Sequence, residues 1–237
     1  MTGLSHRQPE LAQNAVTACD LPLPSIAALF PGRVFVGKAR PGEGATDGAF
    51  SAELAALGRV APVRRQEFLA GRLALRRAQR AMGVTAFPVL PGRDRAPVWP
   101  AGHCGSISHA GDRAIAVLAA TGPLAALGLD MEPAEPLPSD LLDEILSAAE
   151  RDDLKGFTRP DVAARIVFSV KEAVYKAQYP LTRQLFGFDR LRVRLDGACG
   201  FQAVFRHGLA GFSAGHAVHG RYLVHSGMIV AGAALAC

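Results

Sequence analysis

Gly128-Leu129-Asp130-Met131-Glu132 sets two carboxylates two residues apart at the end of an apolar run. On a strand, side chains at i and i+2 share a face, so Asp130 and Glu132 project together. Such a pair suits a hard divalent cation; magnesium takes one or two carboxylates and completes its shell with water and substrate phosphates. A second group lies in Ser169-Val170-Lys171-Glu172-Ala173-Val174-Tyr175-Lys176. Helical spacing puts Arg165, Ser169, Glu172 and Lys176 on one polar face, with Glu172 and Lys176 one turn apart. Ser106-Ile107-Ser108-His109 precedes a turn, where hydroxyls and an imidazole can donate to phosphate. Arg64, Arg65 and Arg72, with Arg93 and Arg95, are candidates for a cationic pocket, because guanidinium grips phosphate in bidentate fashion. Taken singly, each group has an ordinary alternative: solvated acids, a surface ion pair, a turn histidine, or charges on a wet helix face. Taken together, they suit a phosphorylated, magnesium-chelating substrate.

The elements that must position these groups follow from periodicity. A helix is predicted over residues 61 to 82, with Phe68, Leu75, Ala78 and Met82 at helical spacing and Gly83 as C-cap. Its exposed side is expected to carry Arg64, Arg65, Arg72, Arg76 and Arg80. Residues 34 to 36 read as a short strand, while 41 to 47 and 87 to 100 read as loops rich in Gly or Pro. Strands over 104 to 108, 114 to 120 and 125 to 131 are expected to form an antiparallel meander. Helices follow over 141 to 155 and 160 to 178, the second capped by Thr158 with Pro160 in its first turn. Its apolar stripe is Ala163, Ile166, Val167, Val170, Ala173, Val174 and Ala177. Two hairpins end the chain, 191 to 195 with 201 to 205 across Asp196-Gly197, and 222 to 225 with 228 to 235 across Ser226-Gly227. This order of helices and strands indicates an α+β fold.

The chain has 237 residues, 49% hydrophobic and 20% charged, ample for a sizeable core. Residues 1 to 20 are expected to be poorly ordered. A formal net charge of +5 favours phosphate, acidic proteins, nucleic acid or acidic membrane as partners. Cys19, Cys104, Cys199 and Cys237 form no C-x-x-C pair, which speaks against a zinc or redox site and fits a reducing cytoplasm. The polar start, Met1 to Gln13, lacks a signal-peptide core, and no run reaches the ~20 apolar residues of a membrane helix. Aromatics are only 7% and none alternates with the arginines, against a nucleic-acid-binding protein.

The combined motifs resemble the 4′-phosphopantetheinyl transferase superfamily, within its larger monomeric group of surfactin and enterobactin-synthetase component D types. Its G-x-D-x-E is met by Gly128, Asp130 and Glu132; its [FW]-[ST]-x-K-E-[AS]-x-x-K by Phe168, Ser169, Lys171, Glu172, Ala173 and Lys176; its S-[IL]-[ST]-H by Ser106 to His109. Arg64-Arg65-Gln66-Glu67-Phe68 with Gly71-Arg72, and Arg95-Ala96-Pro97-Val98-Trp99-Pro100, point to the enterobactin-type branch. The resemblance spans roughly residues 60 to 190.

That resemblance implies two pseudo-twofold-related α+β halves with antiparallel sheets and coenzyme A in the cleft between them. Here residues 1–122 would contact the phosphates and adenine, and residues 123–237 would carry the magnesium site and catalytic helix. By matched position, Asp130, Glu132 and Glu172 would hold Mg²⁺; Asp130, Glu172 and Lys176 would be catalytic. Arg64, Arg72, Ser108, His109, Lys171 and Lys176, with Arg93 or Arg95, would bind coenzyme A. Alignment favours Arg64 for the 3′-phosphate, whereas helix geometry favours Arg65. The implied reaction moves 4′-phosphopantetheine from coenzyme A to a serine of an apo acyl, peptidyl or aryl carrier protein, in the cytoplasm and by a monomer, with no nucleic acid or membrane involved. Val174, Tyr175 and residues 179 to 188 are expected near the carrier. The rival readings are a magnesium-dependent nucleotide or coenzyme A phosphohydrolase and a basic nucleic-acid-binding protein.

Overall fold

The computed structural model describes residues 21–44 and 48–237; the expectation for residues 1 to 20, and part of that for 41 to 47, falls outside the described residues. The chain runs α1 (Leu23–Ala27), β1 (Phe35–Ala39), α2 (Ser51–Leu57), α3 (Pro62–Met82), a small hairpin β2 (Leu90–Pro91) and β3 (Pro97–Val98), then β4 (His103–Ala110) and β5 (Arg113–Ala120). It continues with β6 (Leu124–Pro133), a 3₁₀ turn (Ser139–Leu141), α4 (Leu142–Ile145), α5 (Ala148–Leu154) and α6 (Pro160–Thr182). A second 3₁₀ turn (Phe188–Arg190) leads to β7 (Leu191–Leu195), β8 (Gly200–Phe205), β9 (Ala217–His225) and β10 (Met228–Ala236). The fold is α+β with antiparallel sheets.

One sheet has the order β1-β5-β4 and the other β6-β10-β9-β8-β7. The three-strand meander expected from the sequence is therefore corrected: β4 and β5 pair, but β6 pairs with β10 in the other sheet. Both edges of β5 are already taken, by β1 and β4, so β6 has no ladder to join there. Alternation along the strands builds the core. Leu127, Leu129 and Met131 of β6 join Val36, Ile115, Val117 and Val230 in one cluster shared by the two sheets. The opposite faces receive the long helices.

Each helix seats on a glycine. A Cβ on Gly37 of β1 would stand 2.0 Å from Ala74 O and 2.6 Å from Ala78 N of α3. A Cβ on Gly128 of β6 would stand 1.8 Å from Ala173 O and 2.7 Å from Ala177 N of α6. Strand glycine against Ala-x-x-x-Ala is thus the same packing device used twice. Counted from these contacts, Ala39 stands where Asp130 stands, Leu73 where Glu172 stands, and Arg72 where Lys171 stands.

The repeat extends to a buried acid. Glu53 of α2 is fully buried and takes Phe50 N at 2.9 Å, Val89 N at 2.9 Å and Arg76 Nη2 at 2.8 Å, with Arg72 Nε at 3.4 Å. Glu150 of α5 takes Ser147 N at 2.8 Å, Val193 N at 2.8 Å and Lys171 Nζ at 3.0 Å. Arg72 and Arg76 are therefore not on an exposed face; Glu53 draws them inward, and Arg72 also lies over the Phe68 ring. The same capping box, Ser147 with Glu150, breaks the single helix expected over 141 to 155 into two pieces. Arg159 rather than Thr158 precedes α6, and no side chain caps it. The helix outruns its expected end and continues through Pro180 to Thr182, where Arg183 turns left-handed. Ser226 and Gly227, with φ of 50° and 71°, make the tight turn expected between β9 and β10.

Because Ala173 and Ala177 present backbone to Gly128, helix and strand must separate if a methyl is added. Gly128→Ala should lower stability by about 2 kcal/mol or more, read as a lower urea midpoint, whereas Gly156→Ala, whose nearest neighbour atom is 4.0 Å away, should change it little.

Candidate active site

β4 and β6 meet at the seam between the halves, and serines stitch it. Ser106 and Ser108 lie two apart on β4 and face the same way. Ser106 Oγ accepts from Leu129 N at 3.0 Å, and Ser108 Oγ donates to Asp130 Oδ1 at 3.3 Å. Asp130 is only 4% exposed. From α6, Ser169 Oγ donates to its Oδ2 at 2.8 Å and Lys176 Nζ to its Oδ1 at 2.6 Å. Ser169 and Lys176 are seven residues apart, two turns on one side of the helix, and Glu172 lies between them on that side. The charge of Asp130 reaches the Glu172 carboxyl.

Glu132, two residues beyond Asp130, receives Arg165 Nη1 at 3.0 Å. Burial pushes the Glu132 carboxyl up from the ordinary range, the charge of Asp130 adds to this, and Arg165 opposes it. Burial likewise raises Glu172, against the opposing pull of Lys176, with Asp130 raising it further. Asp130 therefore acts on both glutamates, though burial is the larger cause at each.

Among the described residues, no three His, Cys, Asp or Glu side chains stand in a metal-ligating cluster. Lys176 supplies the positive charge at Asp130 instead. The donor chemistry nevertheless fits magnesium: the acids offer only hard oxygens, and this ion needs one or two of them when substrate phosphates supply others.

Beside this group, Arg64 Nη1 donates to His109 Nε2 at 2.8 Å and to Glu67 at 3.2 Å. A guanidinium cannot accept, so the imidazole is neutral with its proton on Nδ1. Burial lowers the His109 pKa first, and Arg64 and Lys176 lower it further against the charge of Glu67. Helix α3 begins before Arg64, and Arg64 is the arginine that reaches His109. Arg93 and Arg95 sit on the β2–β3 turn, where Arg95 has a φ of 66°.

Lys171 requires a correction. Its ammonium donates to Ile145 O at 2.6 Å, Glu150 at 3.0 Å and Phe188 O at 3.1 Å, and the residue is 2% exposed. All three protons are used inside the protein, so nothing remains for coenzyme A. Arg72, its counterpart in the other half, is also buried against an acid, though its Nε makes no hydrogen bond. Val174 is fully buried and cannot touch a carrier. Conversely, nothing in the sequence motifs assigns Arg165 to Glu132, Glu67 to Arg64 and His109, or Ser106 to the backbone amide of Leu129. Glu67 carried a signal, three residues from Arg64 on the helix; Ser106 sat inside a recognised motif without a role.

Residues 52–119 match the 4′-phosphopantetheinyl transferase N-terminal domain, and residues 126–231 match the 4′-phosphopantetheinyl transferase superfamily. The chain belongs to the 4′-phosphopantetheinyl transferase superfamily. It is 40% identical over 154 residues to 4′-phosphopantetheinyl transferase Svp of Streptomyces mobaraensis, covering 64% of this chain and 63% of that one. To 4′-phosphopantetheinyl transferase PptT of Mycobacterium tuberculosis it is 37% identical over 135 residues, 56% of this chain and 59% of that one. Enterobactin synthase component D of Salmonella typhi is 37% identical over 133 residues, 55% of this chain and 54% of that one. The chain thus spans little more than half to three fifths of the length of these relatives. No described helix of this 4′-phosphopantetheinyl transferase superfamily member is long and apolar enough to cross a membrane.

Two outcomes follow from the charge arrangement. Lys171→Met leaves Glu150 buried without its cation and should cost about 3 kcal/mol in urea denaturation; an unchanged midpoint would return Lys171 to the candidate ligands. For Glu172, the folded carboxyl holds its proton to higher pH than the unfolded one, whose ordinary value is 4.5. Stability from this group is therefore present below 4.5, falls as pH rises through the folded value and stays low above it. Glu172→Gln should raise the melting temperature of the ligand-free protein at pH 7.5, with the gain vanishing towards pH 4.5.

Proposed function

We propose that this chain transfers the 4′-phosphopantetheine group of coenzyme A to a serine hydroxyl of an apo carrier protein, releasing 3′,5′-ADP. The observation that carries this reading is the convergence on Asp130: Ser108 reaches it from one half, Ser169 and Lys176 reach it from α6, and Glu172 lies between those two. In this proposal residues 1–122 bind the nucleotide phosphates and residues 123–237 carry the reacting groups. Asp130, Glu132 and Glu172 would hold Mg²⁺, which when bound supplies charge neutralisation at the coenzyme A diphosphate.

The chain's own groups then divide the work. The serine oxygen forms a bond to the β-phosphorus, and the bond from that phosphorus to the bridging oxygen breaks, its electrons leaving with 3′,5′-ADP. A serine hydroxyl holds its proton at neutral pH and needs a base. Glu172, set between Ser169 and Lys176 on α6, is the carboxylate assigned that role. Lys176 stabilises charge on the departing phosphate, while Arg64 and neutral His109 donate to the nucleotide phosphates. Arg93 and Arg95 lie towards the nucleotide on their turn. A cavity of about 160 Å³ lined by Glu172, Tyr175, Leu185, Phe186 and Phe188 offers an apolar place beside the base for the pantetheine arm. Leu185, 77% exposed, and Leu181, 47% exposed, are candidate carrier contacts. The net charge of +5 favours acidic carriers. Among the relatives, enterobactin synthase component D points to siderophore assembly as one source of them.

Purified protein, coenzyme A, Mg²⁺ and an apo carrier should yield carrier heavier by one phosphopantetheine in mass spectrometry. Pantetheine phosphate released into water, with the carrier unchanged, would make the enzyme a phosphohydrolase. Asp130→Ala should abolish metal-dependent transfer while retaining weak coenzyme A binding. Lys176→Ala should reduce kcat by about 100-fold in protein that circular dichroism shows to be folded, and should also lower the melting temperature, because it leaves buried Asp130 without its cation.

A further inference from the structure

The polar stripe of α6 does not end at Lys176. Ser169, Glu172, Lys176, Tyr179 and Arg183 recur at spacings of three and four along the same side. The rise of a helix puts Tyr179 about 10 Å beyond Glu172 along that stripe. Neither Tyr179 nor Arg183 has a part in the chemistry above, yet both are engaged. Tyr179 donates its hydroxyl to Asp94 Oδ2 at 2.9 Å, and Arg183 Nη1 donates to the same oxygen at 3.0 Å. The Arg183 guanidinium also lies over the Tyr179 ring, 5.7 Å from its centroid.

Asp94 belongs to the other half of the chain. It sits at the tip of the β2–β3 hairpin, between Arg93 and Arg95. Its second oxygen, Oδ1, accepts Ala96 N at 3.1 Å inside the turn, which Gly92 N to Ala96 O at 2.8 Å also closes. One carboxylate therefore sets the shape of the turn with one oxygen and docks it on α6 with the other. Among the described residues the hairpin's two strands pair with each other and join neither main sheet, so the clasp at its tip adds to the hold that Val89 N on Glu53 gives at its base. Tyr179 and Arg183 draw Asp94 below its ordinary pKa, so it is charged at neutral pH.

We infer that Asp94, clasped by Tyr179 and Arg183, is a positioning residue that holds the Arg93–Arg95 turn across the mouth of the cleft and so sets the affinity for the nucleotide end of coenzyme A. The inference rests on the transferase reading and names a determinant of substrate binding within it. The clasp acts through the flanking arginines: releasing it leaves them on a two-strand hairpin free to swing away from the phosphates.

The test is calorimetric titration of coenzyme A into the purified full chain, paired with carrier-loading kinetics. Asp94→Asn should weaken coenzyme A binding about tenfold, and Tyr179→Phe by a smaller factor, as expected for loss of a charge-assisted bond. The KM for coenzyme A should rise far more than kcat falls, and Asp94→Glu should restore part of the affinity. In a chain already carrying Arg93→Gln and Arg95→Gln, Asp94→Asn should cost less than about twofold, because the groups it positions are gone. Undiminished affinity in Asp94→Asn, or an equal loss in the arginine-free background, overturns the inference and leaves the transferase reading intact. A wild-type chain that binds no coenzyme A overturns both.

Discussion

A carboxylate that is almost entirely out of water must be satisfied from every side or it costs several kcal/mol, and Asp130 meets that demand by recruiting groups from two separate segments. Ser108 comes from β4, Ser169 and Lys176 from α6, and the backbone that carries Asp130 is held in place through Leu129 N and Ser106. None of these partners is near Asp130 in sequence. Satisfying this one charge therefore aligns the seam strand, fixes the rotation of α6 about its axis, and leaves Glu172 facing the same space. The chemistry of the site is a by-product of how that charge is held.

The scaffold behind it is a repeated one. In both halves a strand glycine admits a helix at backbone contact, and a buried glutamate at the third position of a short helix binds a cation from the long helix and an amide from an extended segment. These glutamates and cations are structural; they tie short helix, long helix and following strand into one unit per half. The halves part company at the positions proposed to act. Where the second half has Asp130 and Glu172, the first has Ala39 and Leu73, both apolar, and Ala39 is buried in a small core with Ala74 and Leu75. One copy of the device supports apolar packing, and the other presents acids.

Charge also explains why the acids are poised rather than inert. Glu132 and Glu172 sit where burial and the neighbouring Asp130 make the ionised form costly, and single cations, Arg165 and Lys176, relieve only part of it. In the proposed reaction, a substrate arriving with a divalent cation would supply positive charge where these acids lie. At Arg64 and His109, burial lowers the imidazole pKa, opposed by Glu67 and helped by the charges of Arg64 and Lys176.

Local patterns were sufficient for much of this. The long helices, the two terminal hairpins and the pairing of Asp130 with Glu132 rest on periodicities of 3.6 and 2 and on turn chemistry, all of which are properties of adjacent residues. The motifs likewise located Glu172, Lys176, Ser108 and His109. What a linear reading missed involves partners far away. Arg72 and Lys171 look like phosphate ligands until Glu53 and Glu150, 19 and 21 residues away, claim them. The departure of β6 from its expected sheet is set by β1 and β10, and the break at Ser147 by a capping box that also serves Lys171. Sequence alone determined which residue types stand at which helical and strand positions, because backbone geometry dictates that locally. Which of those charges are neutralised inside the protein was decided only by tertiary structure, because a buried ion goes wherever its counter-ion is held, and that distance is not written along the chain.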